Sequence, residues 1–231
     1  MSTYVCSDLH GCYDLWSKIK NKIGLYDTLY CLGDNIDRGA EGYKICQEQA
    51  HMHNVITLKG NHEALAAAAI PELLNNHFNF VVVQNWFING GDITWGTLED
   101  LSDQEILRFK SWCDNLKKYV TVINSNNEII YLSHAGYTLG YKNLSDPLWD
   151  REHFYDDWPS DEAYPNANKS IVIHGHTPVQ YLGHWLKLPT SDKPEIIKYC
   201  DNHKIDIDLG SIKSHRAALL NIDTWEVIYI E

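Results

Sequence analysis

Short apolar runs alternate along the chain with stretches of helical spacing, and the runs end in polar clusters. Val5 to Ser7 closes a first strand and leads into Asp8-Leu9-His10-Gly11. From Tyr13 to Ile23, the residues Leu15, Trp16, Ile19 and Ile23 recur at helical spacing. A second strand, Thr28 to Leu32, runs into Gly33-Asp34-Asn35-Ile36-Asp37-Arg38-Gly39, with a helix expected from Glu41 to Ala50. The third strand, Val55 to Leu58, ends in Lys59-Gly60-Asn61-His62-Glu63, and an alanine-rich helix follows to Ala69. Three strand–loop–helix units predict a βαβαβ core with a parallel sheet. In such sheets ligands bind beyond the carboxyl ends of the strands. All three polar clusters fall there.

The second half has a different texture. Pro71 to Gly91 predicts helix with an aromatic edge of Phe78, Phe80, Trp86 and Phe87 turned to the core, broken at Asn89-Gly90-Gly91. Ser102-Asp103-Gln104-Glu105 matches a capping box before a helix over Ile106–Leu116. Tyr119–Ile123 and Glu128–Leu132 form a predicted hairpin whose second strand ends in Ser133-His134-Ala135-Gly136. Residues 137–169 lack periodicity and carry Trp149-Asp150-Arg151-Glu152, a long loop of the kind that is often functional. Ile171–Ile173 then ends in His174-Gly175-His176-Thr177-Pro178, with short strands near 196–199, 204–207, 217–221 and 227–230. No linker, repeat or low-complexity tract divides the chain, so residues 1–231 are expected to form a single mixed α/β domain.

Charge and composition narrow the chemistry. With 44% hydrophobic and 12% aromatic residues the chain is globular rather than disordered. A net charge of −12 argues against nucleic acid or an anionic membrane as partner. A small phosphorylated substrate stays open, because bound divalent cations reverse the local field. No apolar run reaches membrane-spanning length, and the start of the chain shows no basic segment leading into an apolar stretch. Six cysteines without a regular framework fit reduced thiols and a cytoplasmic protein.

The strand-end residues Asp8, His10, Asp34, Asn61, His134 and His176 mix imidazole, carboxylate and amide, a set that suits Mn, Fe or Zn. Asp8 and His10, two apart in a segment read as extended, would point the same way and chelate one ion. Asn61, His134 and His176 would hold a second. Asp34 is the natural bridge, having two oxygens to share. Two ions about 3.5–4 Å apart can clamp a phosphoryl group and activate water.

Asp8-Leu9-His10, Gly33-Asp34 through Arg38-Gly39, Gly60-Asn61-His62-Glu63, Ser133-His134-Ala135-Gly136 and Gly175-His176-Thr177 resemble the five signature blocks of the calcineurin-like metallophosphoesterases. More narrowly they are similar to the phosphoprotein phosphatases, above all the compact bacterial and phage lambda-type enzymes. The resemblance implies a β-sandwich of two mixed sheets flanked by helices, with a dinuclear centre at one edge. It implies Asp8, His10 and Asp34 at the first metal, Asp34, Asn61, His134 and His176 at the second, and manganese as the ion, with iron or zinc also used. It further implies a phosphomonoesterase acting on phosphoserine or phosphothreonine, with phosphotyrosine as a further substrate, by direct attack of a metal-bridging water.

By the same resemblance His62 is the general acid, Asp37 orients it, and Arg38, Arg151, Asn61 and His62 bind phosphate. The expected partner is a phosphorylated protein or a small phosphoester, in the cytoplasm, or in the host cytoplasm if the gene is phage-borne. No regulatory-subunit element is visible. Lys59 departs from the arginine many relatives carry before Gly-Asn-His-Glu, keeping charge but losing bidentate geometry. Two alternatives remain. A symmetrical dinucleoside tetraphosphate hydrolase has similar blocks but usually lacks the acid at Asp37, and a non-catalytic metal-bound module would lack a ligand or His62. His174 competes with His176 as ligand, Asp208 matches either a family position beside the ligand loops or a plain turn, and His153 lies in no motif.

Overall fold

The first half of the chain builds a sheet and its helical cover in the computed structural model, which describes residues 1–75, 79–139, 146–189 and 191–231. In order these are β1 (Thr3–Cys6), α1 (Tyr13–Lys20), β2 (Thr28–Cys31), α2 (Gly42–His51), β3 (Val55–Thr57) and α3 (Asn61–Leu73). Then come α4 (Phe80–Trp86), α5 (Asp92–Leu98), α6 (Asp103–Asn115), β4 (Tyr119–Ile123), β5 (Ile129–Ser133) and β6 (Ser170–His174). The chain closes with α7 (Val179–Trp185), β7 (Ile197–Tyr199), β8 (Lys204–Asp206), α8 (Ser211–Ser214), β9 (Ala217–Asn221) and β10 (Val227–Ile230).

The expected βαβαβ core is present. β1, β2 and β3 run parallel, with Cys6 opposite Cys31 and Cys31 opposite Thr57. Two antiparallel strands complete this sheet in the order β10-β9-β1-β2-β3. The second sheet, β4-β5-β6-β8-β7, mixes the antiparallel hairpin β4–β5 with parallel β5–β6–β8. Strand alternation sets what each face buries. Val5, Leu32 and Leu220 of the first sheet meet Ile130, Leu132, Ile173 and Ile205 of the second in one core. The intervening residues Cys6, Leu29, Cys31 and Leu219 face outward onto Leu15, Trp16 and Ile19 of α1. The fold is therefore the two-sheet sandwich flanked by helices expected from the sequence.

The capping box holds at α6, where Ser102 N donates to Glu105 Oε2 at 3.0 Å and Glu105 N to Ser102 Oγ at 3.4 Å. The aromatic edge before it needs correction. Trp86 is fully buried and Phe87 packs against the core, but Phe80 is 62% exposed. Asn79 caps α4 by accepting from Val81 N at 3.1 Å, which turns the first helical residue to solvent. Phe78 lies outside the described residues. The break expected at Asn89-Gly90-Gly91 is real: Gly90 has φ +96°, and its carbonyl accepts from Arg38 N at 3.2 Å. No helix among the described residues is long and apolar enough to cross a membrane.

Candidate metal centre

Every predicted ligand sits just past a strand or at the first turn of the helix after it, and at several of them the backbone is left-handed rather than extended. Asp8, His10, Asp34, Asp37, Arg38 and His176 all have positive φ, from +42° to +69°. Left-handed non-glycine residues cost about 1–3 kcal/mol each and persist where surrounding structure holds them. The reading of Asp8 and His10 as an extended chelating pair is thus corrected, because a tight turn rather than strand alternation directs both. Glu63 holds the turn after β2. Its fully buried carboxylate accepts from the amides of Asp34 (2.9 Å), Asn35 (2.8 Å) and Gly60 (2.8 Å). A side chain at Gly60 would strike the Asp34 carboxylate, so the approach of these two loops requires glycine there.

One group of ligand atoms is tight. Asn61 Oδ1 lies 2.8 Å from His134 Nε2 and 2.9 Å from His176 Nδ1, and Asp34 Oδ2 lies 3.3 Å from His134 Nε2. His134 Nδ1–H donates to Leu32 O at 3.1 Å, so Nε2 is the nitrogen that faces the group and would bind a cation on losing its proton. A second group joins His10, Asp34 and His62, with His10 Nε2 3.7 Å and His62 Nε2 3.8 Å from Asp34 Oδ2. His10 Nδ1–H donates to Ile36 O at 2.9 Å, again freeing Nε2. Asp34 belongs to both groups, as a bridge must. Asp8 lies beside them rather than in them: its carboxylate accepts from the Ser7 hydroxyl and from His176 N at 3.0 Å.

The electrostatics suit a cation. Burial opposes ionisation of Asp34, but His134 and His62 outweigh it and hold the carboxyl well below its usual range. Burial lifts Asp8 to about 6. At His134 burial is overcome by Asp34, then Asp8, and the imidazole is pushed up to about 9. Burial and the neighbouring His134 press His176 down to about 2. Buried carboxylates here are balanced by protons on imidazole, and divalent ions can take over that task by displacing those protons from the inward-facing nitrogens. The donor set of carboxylate, imidazole and amide oxygen fits two such ions.

The remaining predicted residues converge on the same place. His62 Nδ1–H donates to Asp37 Oδ2 at 2.6 Å. Asp37 also accepts from Trp86 Nε1 at 2.9 Å and Thr94 Oγ1 at 2.6 Å. Burial works against a charged His62, but Asp34 and Asp37 overcome it and raise its pKa. Arg38 donates to His10 Nε2 (2.8 Å) and His62 Nε2 (2.9 Å). Arg151 donates from Nε to Thr177 Oγ1 at 3.1 Å, and with Arg38 and His176 lines a cleft of about 1200 Å³. His174 does not compete as ligand, since its ring is buried against Tyr199. Lys59 points away, donating to Asp114 O. Sequence reasoning missed Glu63, Trp86, Thr94 and Tyr199. Of these only Glu63 left a signal, as the acid three residues into a helix.

These features define a metal-dependent phosphoesterase. The chain matches the family model for calcineurin-like phosphoesterase over residues 1–209, and it belongs to that family. The family uses a dinuclear metal centre. Among curated relatives, serine/threonine-protein phosphatase 2 of Salmonella typhimurium is 26% identical over 194 residues, 77% of this chain and 80% of the relative. The symmetrical bis(5'-nucleosyl)-tetraphosphatase of Baumannia cicadellinicola is 28% identical over 143 residues, 60% of this chain and 43% of the relative. A cold-active protein-tyrosine phosphatase from a psychrophilic Shewanella superposes with a TM-score of 0.63 at 15% identity, covering 99% of this chain and 77% of that one. The last likeness concerns the fold alone.

Proposed function

We propose that the protein is a protein-serine/threonine phosphatase that hydrolyses phosphomonoesters with two manganese ions in a cytoplasmic setting. The observation that carries this reading is the buried pair of His62 and Asp37, 2.6 Å apart. A serine or threonine alkoxide is a poor leaving group and needs a proton, and His62 held by Asp37 is placed to give one. Asp8, His10, Asp34, Asn61, His134 and His176 would hold the ions. Ions bound there supply Lewis acidity, charge against the phosphoryl oxygens and a lowered pKa for water.

Arg38 and Arg151 are the phosphate-binding pair in this reading, with the planar fork suited to two oxygens. Arg38 packs against the same Nε2 atoms that a metal at His10 and the transferable proton at His62 require. Its guanidinium therefore moves off those nitrogens when phosphate enters. The substrate is a phosphorylated protein, with phosphotyrosine accepted in the open cleft. The size of that cleft, about 1200 Å³, also favours a second reading, hydrolysis of a symmetrical dinucleoside tetraphosphate.

The test compares a phosphoserine peptide, a phosphotyrosine peptide and diadenosine tetraphosphate with added Mn²⁺. The phosphoserine peptide should give the highest kcat/KM. A large preference for the dinucleotide would replace the proposed substrate while keeping the metal centre.

A further inference from the structure

Behind the site lies a buried polar chain that none of the proposed catalytic roles uses. Asp150, next to Arg151, accepts at Oδ1 from Glu152 N (2.8 Å), and its Oδ2 lies 3.4 Å from His153 Nδ1 without hydrogen-bond geometry, so the bonded chain begins at His153 Nε2. His153 Nε2 lies 3.3 Å from the Tyr199 hydroxyl, which lies 2.8 Å from His174 Nε2. His174 Nδ1 in turn lies 3.1 Å from Gly175 O. A carbonyl only accepts, so His174 carries its proton on Nδ1, and its Nε2 accepts from Tyr199. Both imidazoles are fully buried, and Tyr199 is 8% exposed.

The chain joins the two segments that approach the phosphate position. At one end is Gly175-His176. The carbonyl of that peptide takes the His174 proton, and its N–H donates to Asp8 at 3.0 Å. The peptide plane is thus pinned from both sides, where His176 sits at φ +69°. At the other end is Arg151. Its backbone lies between Asp150 and His153, and Lys204 clamps the following turn by donating to His153 O (2.5 Å) and Asp156 O (2.7 Å). The His153 ring lies so close to Gly136, at φ +133°, that a side chain there would collide with it. The side chain of Arg151 is tied to the first segment through Thr177. Arg151 is therefore fixed at its backbone through Tyr199 and at its guanidinium through Thr177.

We propose that Tyr199, acting with His153 and His174, is a positioning residue that sets Arg151 against His176 for phosphate binding. It touches no substrate. Its hydroxyl links strands β6 and β7 to the loop carrying Arg151, so its loss loosens phosphate contacts rather than the chemistry. The proposal rests on Arg151 being a phosphate ligand, as in the function proposed above.

Tyr199→Phe keeps the ring and removes only the hydroxyl. His174→Asn keeps a donor for Gly175 O, because the amide nitrogen takes the place of Nδ1, and loses the Tyr199 link. Each should raise KM for p-nitrophenyl phosphate and the dissociation constant for inorganic phosphate about tenfold in the Mn²⁺-loaded protein, with kcat within about twofold. The double variant should be no worse than either single one, since both cut the same chain. Nitrogen-15 NMR should find His174 protonated on Nδ1 in the wild type.

Wild-type phosphate affinity in both variants, or additive losses in the double variant, would overturn the proposal, even if thermal stability falls. If the wild type hydrolyses no phosphomonoester yet the variants still bind inorganic phosphate tenfold more weakly, the functional reading fails and the positioning role stands.

Discussion

Asp37 receives three side-chain donors on one fully buried carboxylate: His62, Trp86 and Thr94. A buried carboxylate with several donors is a rigid acceptor, so the imidazole it holds has one orientation and one tautomer. That makes His62 testable by itself. His62→Asn should lower kcat/KM for a phosphoserine peptide by about 10²–10⁴, the range of a single general acid. Bound metal, measured by elemental analysis, should stay at the wild-type ratio, because His62 is not among the proposed ligands. Loss of metal in this variant would move His62 into the ligand set, where its 3.8 Å approach to Asp34 already brings it close. Arg38 shows what residue identity leaves open. Its place in Asp-Arg-Gly is readable from the chain, but its bonds to His10 and His62 depend on where two other loops put those rings.

At the scale of elements, α1 and α2 are held together apart from the site by Glu48. Its carboxylate takes donors from Tyr13 (2.6 Å), Trp16 (2.8 Å) and Lys20 (2.6 Å). Burial works to raise its pKa, but Lys20 and the two aromatic donors win and lower it from 4.5 to about 2. A carboxyl with a depressed folded-state pKa contributes stability above its unfolded value and loses it as pH falls toward the folded one. The urea midpoint of wild type should therefore exceed that of Glu48→Gln at pH 6, with the gap closing as the pH falls from 4.5 toward 2. A gap that holds constant across that window would show that Glu48 acts through packing alone. The helix after β3 shows the other limit of pattern reading. Its alanines announce a helix, but the orientation of its first turn comes from Glu63 reaching back across to the amides of Asp34 and Asn35.

For the whole molecule, one core is shared by the two sheets, so they are expected to melt together. The candidate metal centre lies at the edge where both sheets end, drawing its proposed ligands Asp8, Asp34 and Asn61 from the segments after the strands of one sheet and His134 and His176 from those of the other. Ions bound there should cross-link the sandwich. Mn²⁺ at a hundred times its dissociation constant stabilises by about 2.7 kcal/mol per site, which for a chain of this size raises Tm by roughly 5–10 °C. Melting in Mn²⁺ and in EDTA should each show a single transition separated by at least that interval. Equal Tm values would mean that the folded chain does not bind the ion at this edge.

The chain by itself determined the βαβαβ order, the second half's hairpin and short strands, and nearly all the residues that the fold brings together at the candidate site. It could do so because strand alternation and helical spacing are local, and because polar residues at strand ends stand out against apolar runs. Glu63 belongs half to this legible part, since its block was visible and its work was not. Only the tertiary structure decided the left-handed turns at Asp8, His10, Asp34 and His176, and the meeting of His153, His174 and Tyr199. Those depend on contacts between residues far apart in the chain, 168 positions for Asp8 and His176 and 46 for His153 and Tyr199, and no local pattern encodes them. The placement of Arg38 is of the same kind: its neighbours in space come from the loops after β1 and β3, brought together only when the sheet forms.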